Sequence, residues 1–303
     1  VLALIAGMVI FVWTKAWPSF SHNGLHWFGA GGNVDRDLGQ IFDSPADPKN
    51  YNYALHAWPL IYGTALTTFI GVGAGIVIAT LSAIFIVEFA PEWMRRILEP
   101  VVRLLAAVPS VIYGLIGVLV LVPFVGNHLV SQSRKESVIY VVQLTGASLL
   151  VACVILTVMV TPIMVAIISD ALRSVPRGWT EGSAALGVNR WRTIWTISVR
   201  ASRPAIIAAA VLASARALGE AIMLSMVSGS VGFSPNPLDG ITFFFEPVRP
   251  LAATIVDNAE GLSVKPFGQT IYAFAALLLL SSLVLSIGGW LVKQPLKRYG
   301  VRI

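Results

Sequence analysis

Arg216 and Glu220 are the charged residues most out of place in their surroundings. They lie in the otherwise apolar segment 204–228, which is long enough to cross a bilayer as a helix. Arg216 is 12 residues from each end of this segment, about 18 Å along a helix, where a charge costs roughly 2.5–3.5 kcal/mol. Glu220 follows at i+4, so a continuous helix would place both on one face as a pair. The two residues predict either a binding site for an anion along a transport pathway or an ion pair that only fixes helix packing. Charged residues within membrane spans usually mark functional sites, which favours the first alternative.

The hydrophilic segment 170–203 is the second candidate for chemistry. Thr180 is predicted to cap a short helix with Glu181 in its first turn, and Gly187 to occupy the C′ position. Trp191, Ile194 and Trp195 then form an apolar i, i+3, i+4 stripe. This pattern predicts a short helix, a sharp turn and an amphipathic helix at the membrane surface. Both partner docking and simple interfacial anchoring fit it.

Other chemistries find little support. The glycines of 71–75 lie within an apolar span without a preceding strand, so they predict close helix packing and not a dinucleotide site. No G-x-x-x-x-G-K-[ST] motif occurs, so any ATP is expected to be bound by another polypeptide. Histidines 22, 26, 56 and 128 lack metal-ligand spacing, and Cys153 stands alone. We therefore predict no metal, no cofactor and no catalytic residue in this chain.

The elements that must position these residues are membrane spans. Of the 303 residues, 56% are hydrophobic and 12% charged, with a mean hydropathy of +0.78; soluble domains carry roughly 25% charged residues. Apolar segments of suitable length lie at 1–17, 63–87, 102–125, 148–169, 204–228 and 270–292. The predicted fold is an all-α membrane protein, a polytopic bundle of about six helices forming a single transmembrane domain over 1–303.

Lysine and arginine predict the orientation of the bundle. The connections 88–103 and 170–203 and the tail after 292 hold thirteen: Arg95, Arg96, Arg103, Arg173, Arg177, Arg190, Arg192, Arg200, Arg203, Lys293, Lys297, Arg298 and Arg302. The opposite connections hold six: Arg36, Lys49, Arg134, Lys135, Arg249 and Lys265. The first set, and with it both termini, is therefore predicted to be cytoplasmic. This bias explains the net charge of +6, and no nucleic-acid partner is expected.

The sequence E-G-S-A-A-L-G at 181–187, followed by Ile197 and Arg203-Pro204, resembles the cytoplasmic EAA loop of ABC importer permeases. Gly182 and Ser183 stand where that motif has two alanines, with Ala184 and Ala185 just after them. The resemblance implies a type I permease-like fold, with the loop at about 173–203 inserting a coupling helix into an ATPase. The residues that it assigns to this coupling are Glu181, Ala184, Ala185, Gly187 and Arg190.

Further strings are similar to permeases of the phosphate-specific transport (Pst) system, and more to the PstC-type than to the PstA-type subunit. They are W-P-S at 17–19, Y-G-T at 62–64, E-F-A-P at 88–91, P-S-V-I-Y-G at 109–114 and R-A-L-G-E-A at 216–221. This resemblance implies import of inorganic phosphate across the bacterial cytoplasmic (inner) membrane. It also implies three kinds of protein partner: a PstA-type permease subunit, an ABC ATPase dimer that binds ATP and Mg, and an extracytoplasmic phosphate-binding protein. Arg216 and Glu220 match the arginine and glutamate implicated in phosphate passage in that family.

Two alternatives stay open. A permease for another oxyanion, such as molybdate or sulfate, would be distinguished by which solute-binding protein stimulates its ATPase. An ion-coupled secondary transporter would need no ATPase and would be expected to show internal inverted repeats.

Overall fold

The computed structural model describes residues 2–31, 33–47, 50–137, 143–232 and 234–296. Lys49, Lys297, Arg298 and Arg302, used above to predict orientation, lie outside these ranges. The helices are α1 (Leu2–Asn23), α2 (Val34–Asp43), α3 (Trp58–Ile84), α4 (Glu92–Ala107), α5 (Ser110–Ile116), α6 (Val122–Phe124), α7 (Gln132–Ser137), α8 (Leu149–Arg173), α9 (Arg177–Ala185), α10 (Arg190–Thr193), α11 (Val199–Leu218), α12 (Ile222–Val227), α13 (Thr242–Phe245), α14 (Leu251–Asp257) and α15 (Phe267–Leu296). Wider π-helical turns extend α3 through Phe89, join α5 to α6, extend α6 to Leu129, and join α10 to α11.

Six helical runs in the described part of the chain are long and apolar enough to cross a membrane. They are Ala3–Phe28, Trp58–Phe89, Ser110–Leu129, Leu149–Arg173, Arg190–Leu218 and Phe267–Val292. The prediction of an all-α bundle with six spans is confirmed, although three spans differ in extent. The first continues to Phe28, well beyond the predicted end at 17. The third begins at Ser110 because Val108 and Pro109 have extended ψ angles that end α4. The fifth begins at Arg190 and ends at Leu218, so it is displaced from the predicted 204–228.

The chain divides into two compact units. Unit 1 comprises Val1–Thr68, Pro109–Ile155 and Leu218–Ser282, and unit 2 comprises Phe69–Val108, Leu156–Ala217 and Leu283–Ile303. Unit 1 has a hydrophobic core that includes Trp27, Ile41, Leu55 and Phe274, all fully buried. Helix α2 joins this core through Val34, Leu38 and Ile41, whose i, i+4, i+7 spacing forms one apolar face.

Close contact through small residues organises unit 2. A Cβ on Gly71 would lie 2.9 Å from Leu156, and one on Gly75 would lie 2.7 Å from Met164, both on α8. A Cβ on Gly73 would meet nothing within 4 Å. The two outer glycines of the 71–75 string therefore face α8 at the i, i+4 spacing that lets helices approach closely. This arrangement confirms the packing interpretation of the string.

Candidate functional site

The helix that carries Arg216 ends before it reaches Glu220. Arg216 lies in the last turn of α11, which stops at Leu218, and Glu220 belongs to the short non-helical link before α12. Both residues are half-buried. The expectation of one continuous helix with Arg216 at its middle and Glu220 one turn later on the same face was wrong. Glycine is a poor helix former, by about 1 kcal/mol relative to alanine, and Gly219 stands where the helix stops.

The break changes the physical meaning of the arginine. A cation in the last turn of a helix lies beside carbonyl groups that lack intrahelical partners, and the helix dipole stabilises it there. Non-helical backbone at membrane depth is tolerated where it is buried in protein or lines a water-filled cavity. Discontinuous helices of this kind also form the binding sites of many transporters. Arg216 therefore lies at the end of a helix and Glu220 in the non-helical link that follows it, and neither lies in the middle of a helix.

The segment after the break is tightly held within unit 1. Met223, Leu224 and Val227 of α12 are buried. A Cβ on Gly114 would lie 2.9 Å from the sulfur of Met226, and one on Gly117 would lie 2.5 Å from Val227. Gly114, at the end of the P-S-V-I-Y-G string, and Gly117, in the turn after α5, therefore allow α12 to approach and hold the segment that follows Glu220.

An ionic network of unit 1 was not found by sequence reasoning. The guanidinium of Arg249, whose side chain is 11% exposed, pairs with Asp35 of α2 and, at 3.4 Å, with Asp257 of α14. Asp35 also accepts a hydrogen bond from the amide of Gly232 at 2.9 Å, and the hydroxyl of Ser225 on α12 donates to Asp257. Arg249 is separated from Asp35 by 214 positions, so no local pattern could have linked them. The network ties α12 to two other helices.

Two of the four histidines, His22 and His56, contact neighbouring groups within unit 1. The His56 ring and the His56 backbone amide both contact the buried Asp37 carboxylate at 3.1 Å. His22 Nε2 lies 3.1 Å from the backbone carbonyl oxygen of Tyr53. The side chain of Tyr53 is itself buried, and this burial raises the pKa of its phenol to about 12. Across the described ranges, no three His, Cys, Asp or Glu side chains come together as a metal site.

The predicted coupling loop forms a short helix with a defined end. Helix α9 is closed by a Schellman motif, in which the Gly187 amide donates to Ala184 at 2.9 Å and the Val188 amide to Ser183 at 3.2 Å. Gly187 has φ +76°, so its predicted C′ position is confirmed. Thr180 is not the N-cap, because α9 already begins at Arg177; its hydroxyl donates to the Arg177 carbonyl at 2.8 Å.

The amphipathic stretch after the turn is the beginning of the fifth span and not a separate surface helix. Asn189 caps it by accepting the Arg192 amide at 2.8 Å, and helical backbone then continues from Arg190 to Leu218. The expectation of an independent helix was wrong because the polar stretch 189–203 contains no helix-ending residue before Pro204, which the helix accommodates. The hydroxyl of Ser183 lies 2.8 Å from that of Thr193, which fixes α9 against α10.

Arg190 connects this loop to the end of α3. Its guanidinium donates to the carbonyl of Glu88, lies 4.0 Å from the Glu88 carboxylate, and sits 4.9 Å from the centre of the Phe89 ring. Both partners belong to the E-F-A-P string. Within unit 2, the base of the loop is therefore held against the end of α3.

The residues assigned to coupling are exposed in this chain. Glu181, Ala184, Ala185, Gly187 and Arg190 all lie on the surface. Leu186 beside them is 84% exposed and Trp179 is 48% exposed. An apolar surface on a rigidly capped helix has the properties of a protein contact region.

Comparison with known proteins places these features in a family. Residues 71–296 match the model of the binding-protein-dependent transport system inner membrane component. The chain belongs to this family. It is a multi-pass membrane protein and a permease of the ABC importer class, and its helical fold is that of type I ABC importer permeases.

Individual relatives agree with this assignment. The chain is 39% identical over 60% of its length to a probable ABC transporter permease, YqgH, of Bacillus subtilis, of which it covers 55%. It is 26% identical over 99% of its length to the phosphate transport system permease PstC of Pasteurella multocida, covering 89% of that protein. It is 32% identical to PstC 1 of Mycobacterium tuberculosis over 78% of its length and 71% of that protein. The resemblance to PstC-type permeases is thus confirmed.

A solved structure supports the fold. A chain of the inward-facing MetNI methionine ABC transporter matches with a TM-score of 0.56 and 17% identity, over 79% of this chain and 96% of the other.

Proposed function

We propose that the chain is the permease subunit of an ABC importer that moves inorganic phosphate inward across the bacterial cytoplasmic membrane. The observation that carries this proposal is the similarity to a PstC permease over 99% of the chain. The protein partners would be a PstA-type permease subunit, an ABC ATPase dimer and an extracytoplasmic phosphate-binding protein. ATP and Mg would act on the ATPase. The chain would form one transmembrane domain in the lipid bilayer with both termini in the cytoplasm.

Transport would proceed by alternating access. The loaded binding protein docks on the connections 18–62, 126–147 and 229–269. ATP-driven closure of the ATPases acts on α9, whose residues Glu181, Ala184 and Ala185 are exposed. Phosphate then passes Arg216 at the end of α11. One half-buried arginine is a weak anion site, which suits a conduit that must release its cargo. Glu220, in the break that follows, would limit how firmly the anion is held.

The test is uptake of radiolabelled phosphate by cells that carry Arg216→Ala. Uptake is expected to be abolished while the ATPase and the second permease still co-purify with the variant. Arg96→Ala is the matched control, because Arg96 has a 77% exposed side chain that pairs only with Glu92 on its own helix. Normal uptake by Arg216→Ala would make the residue structural.

Two experiments separate the alternatives. A permease for molybdate or sulfate would show ATPase stimulation by the corresponding solute-binding protein and not by a phosphate-binding protein. An ion-coupled secondary transporter would sustain uptake in vesicles that lack any ATPase.

A further inference from the structure

A cavity in unit 2 lies beside the coupling helix and is distinct from the region of Arg216. Its volume is about 460 Å³. It is lined by Trp179 of α9 and by six residues at the start of the fifth span: Thr196, Ile197, Arg200, Ala201, Arg203 and Pro204. The cavity is therefore a cleft between a surface helix and the end of a membrane-crossing helix.

The cavity carries two unneutralised positive charges. Arg200 and Arg203 are three positions apart, which places them as neighbours on one helix face, and no acidic residue lines the cavity. Neither guanidinium has a hydrogen-bond or ion-pair partner within the described ranges. By contrast, Arg173 pairs with Glu99 and Arg190 with Glu88 in the same unit. Two adjacent guanidiniums without a carboxylate form a receptor for an oxyanion.

The rest of the lining is apolar. Trp179, Ile197, Ala201 and Pro204 supply carbon surface, and the hydroxyl of Thr196 is already donated to the Arg192 carbonyl at 2.7 Å. A free inorganic anion needs donors on several sides, whereas the charged donors of this cavity come from two side chains on one helix face. An amphiphile with an anionic head and a hydrocarbon tail matches both surfaces, and basic pockets at the ends of membrane helices bind such lipids.

We propose that the cavity binds an anionic phospholipid, with its phosphate between Arg200 and Arg203 and an acyl chain along Ile197 and Pro204. The position next to Trp179 would make the bound lipid part of the surface that supports the coupling helix. The inference rests on the proposed function in one respect only: the predicted orientation of the chain assigns the bound lipid to the cytoplasmic leaflet of the membrane.

The test uses the whole permease complex in nanodiscs of phosphatidylcholine with increasing amounts of phosphatidylglycerol. Either lipid carries brominated acyl chains, which quench nearby tryptophan fluorescence. Subtracting the signal of Trp179→Phe isolates quenching at Trp179. We expect brominated phosphatidylglycerol to quench Trp179 at much lower mole fraction than brominated phosphatidylcholine. Each of Arg200→Gln and Arg203→Gln should weaken this preference about fivefold and the double variant ~30-fold.

Matched variants keep the result interpretable. Arg96→Gln should retain the preference, because Arg96 does not line the cavity. Arg200→Lys with Arg203→Lys should retain most of it, and thermal unfolding checks that each variant is folded. Equal quenching by both lipids, an unchanged preference in the double Gln variant, or no quenching of Trp179 at all because protein covers the cavity would each overturn the proposal.

Competition with inorganic phosphate distinguishes a site for the phosphate group of a lipid from a site for free phosphate. If millimolar phosphate displaced the brominated phosphatidylglycerol, the site would belong to the free anion and the lipid proposal would fail. The quenching requires no transport, so loss of the lipid preference and loss of phosphate uptake are independent results. A complex that imports another oxyanion but retains the lipid preference would overturn only the proposed function.

Discussion

Two charged regions of this molecule, both of which contain arginines paired with carboxylates of the chain, differ in how far their side chains are buried. In the ionic network of unit 1, Arg249 has an 11% exposed side chain and contacts two carboxylates of its own chain, one on α2 and one on α14. In the coupling loop, the Arg190 side chain is 63% exposed, and Leu186 beside it is 84% exposed. Removing one partner of a charge pair inside the chain is costly, because the remaining charge is left buried and unpaired. Side chains left on a rigid surface indicate a partner. Charged residues thus hold helices together in one region and lie on an exposed surface in the other, and variants can test this difference.

The largest effect is expected at the turn of the coupling loop. Gly187→Val places a β-branched residue at φ +76°, a conformation that costs an ordinary residue roughly 1–2 kcal/mol, and the Schellman hydrogen bonds would be lost. Because α9 would then present a different surface, we expect at least a tenfold loss of phosphate uptake, with the spans still folded. Gly182→Ala is the control, since its Cβ would meet nothing within 4 Å and alanine favours the helix. Full uptake by Gly187→Val would show that coupling does not depend on the conformation of this turn.

The second effect concerns the stability of unit 1. Arg249→Met removes the cation shared by Asp35 and Asp257, and breaking a buried pair costs 3–5 kcal/mol. The Asp35 side chain is 41% exposed, so we expect a smaller loss, about 2 kcal/mol, seen as a lower midpoint of thermal unfolding in detergent. Arg96→Gln, which removes an exposed i,i+4 pair, is expected to cost less than about 0.5 kcal/mol. Equal losses in the two variants would contradict the distinction between satisfied and exposed charges.

A smaller effect tests what holds the base of the loop. Arg190→Lys keeps the charge but loses the planar stacking on Phe89, which lies 4.9 Å away. A cation–π contact at an exposed site contributes about 0.5–1 kcal/mol, so uptake is expected to fall two- to fivefold. Arg192→Lys, on the same short helix without such a ring contact, is the control. Identical behaviour of the two lysine variants would mean that only charge matters at this position.

The sequence predicted these regions unequally, for physical reasons. The number of spans and the Gly187 turn follow from local rules of hydrophobic length and backbone conformation, so both could be predicted. The bounds of the second, fourth and sixth spans were also predicted within a few residues. The end of α11 at Leu218 could not, because apolar composition continues through 228 while the helix does not. Gly219 was the available signal, but glycine is common within membrane helices and marks no end by itself.

The network around Arg249 shows a second limit. Asp35 lies on α2, whereas Arg249 lies just before α14 and Asp257 on it. These residues come together only after α2 and α14 have packed, and a single sequence contains no measure of that distance. The glycines at 114 and 117 illustrate the same point. Only the structure identifies α12 as the neighbour that these two glycines admit.

The smallest predicted effect is a pH dependence at Glu246, a buried carboxylate of unit 1. Burial raises its pKa above the ordinary value of 4.5, with Asp239 adding to the increase, although the carboxylate accepts the Asn236 amide at 3.1 Å. The folded chain therefore holds this proton to higher pH than the unfolded chain, so the contribution of Glu246 to the free energy of unfolding falls as pH rises from 4.5 toward the raised pKa. Glu246→Gln keeps an acceptor oxygen and removes the titration. Relative to the natural chain, its unfolding midpoint should be similar below pH 4.5 and higher at neutral pH, whereas Glu92→Gln controls for loss of an exposed carboxylate. A midpoint difference for Glu246→Gln that stays constant or shrinks with rising pH would show that Glu246 is ionised without penalty, and that even this carboxylate is fully satisfied inside its own chain.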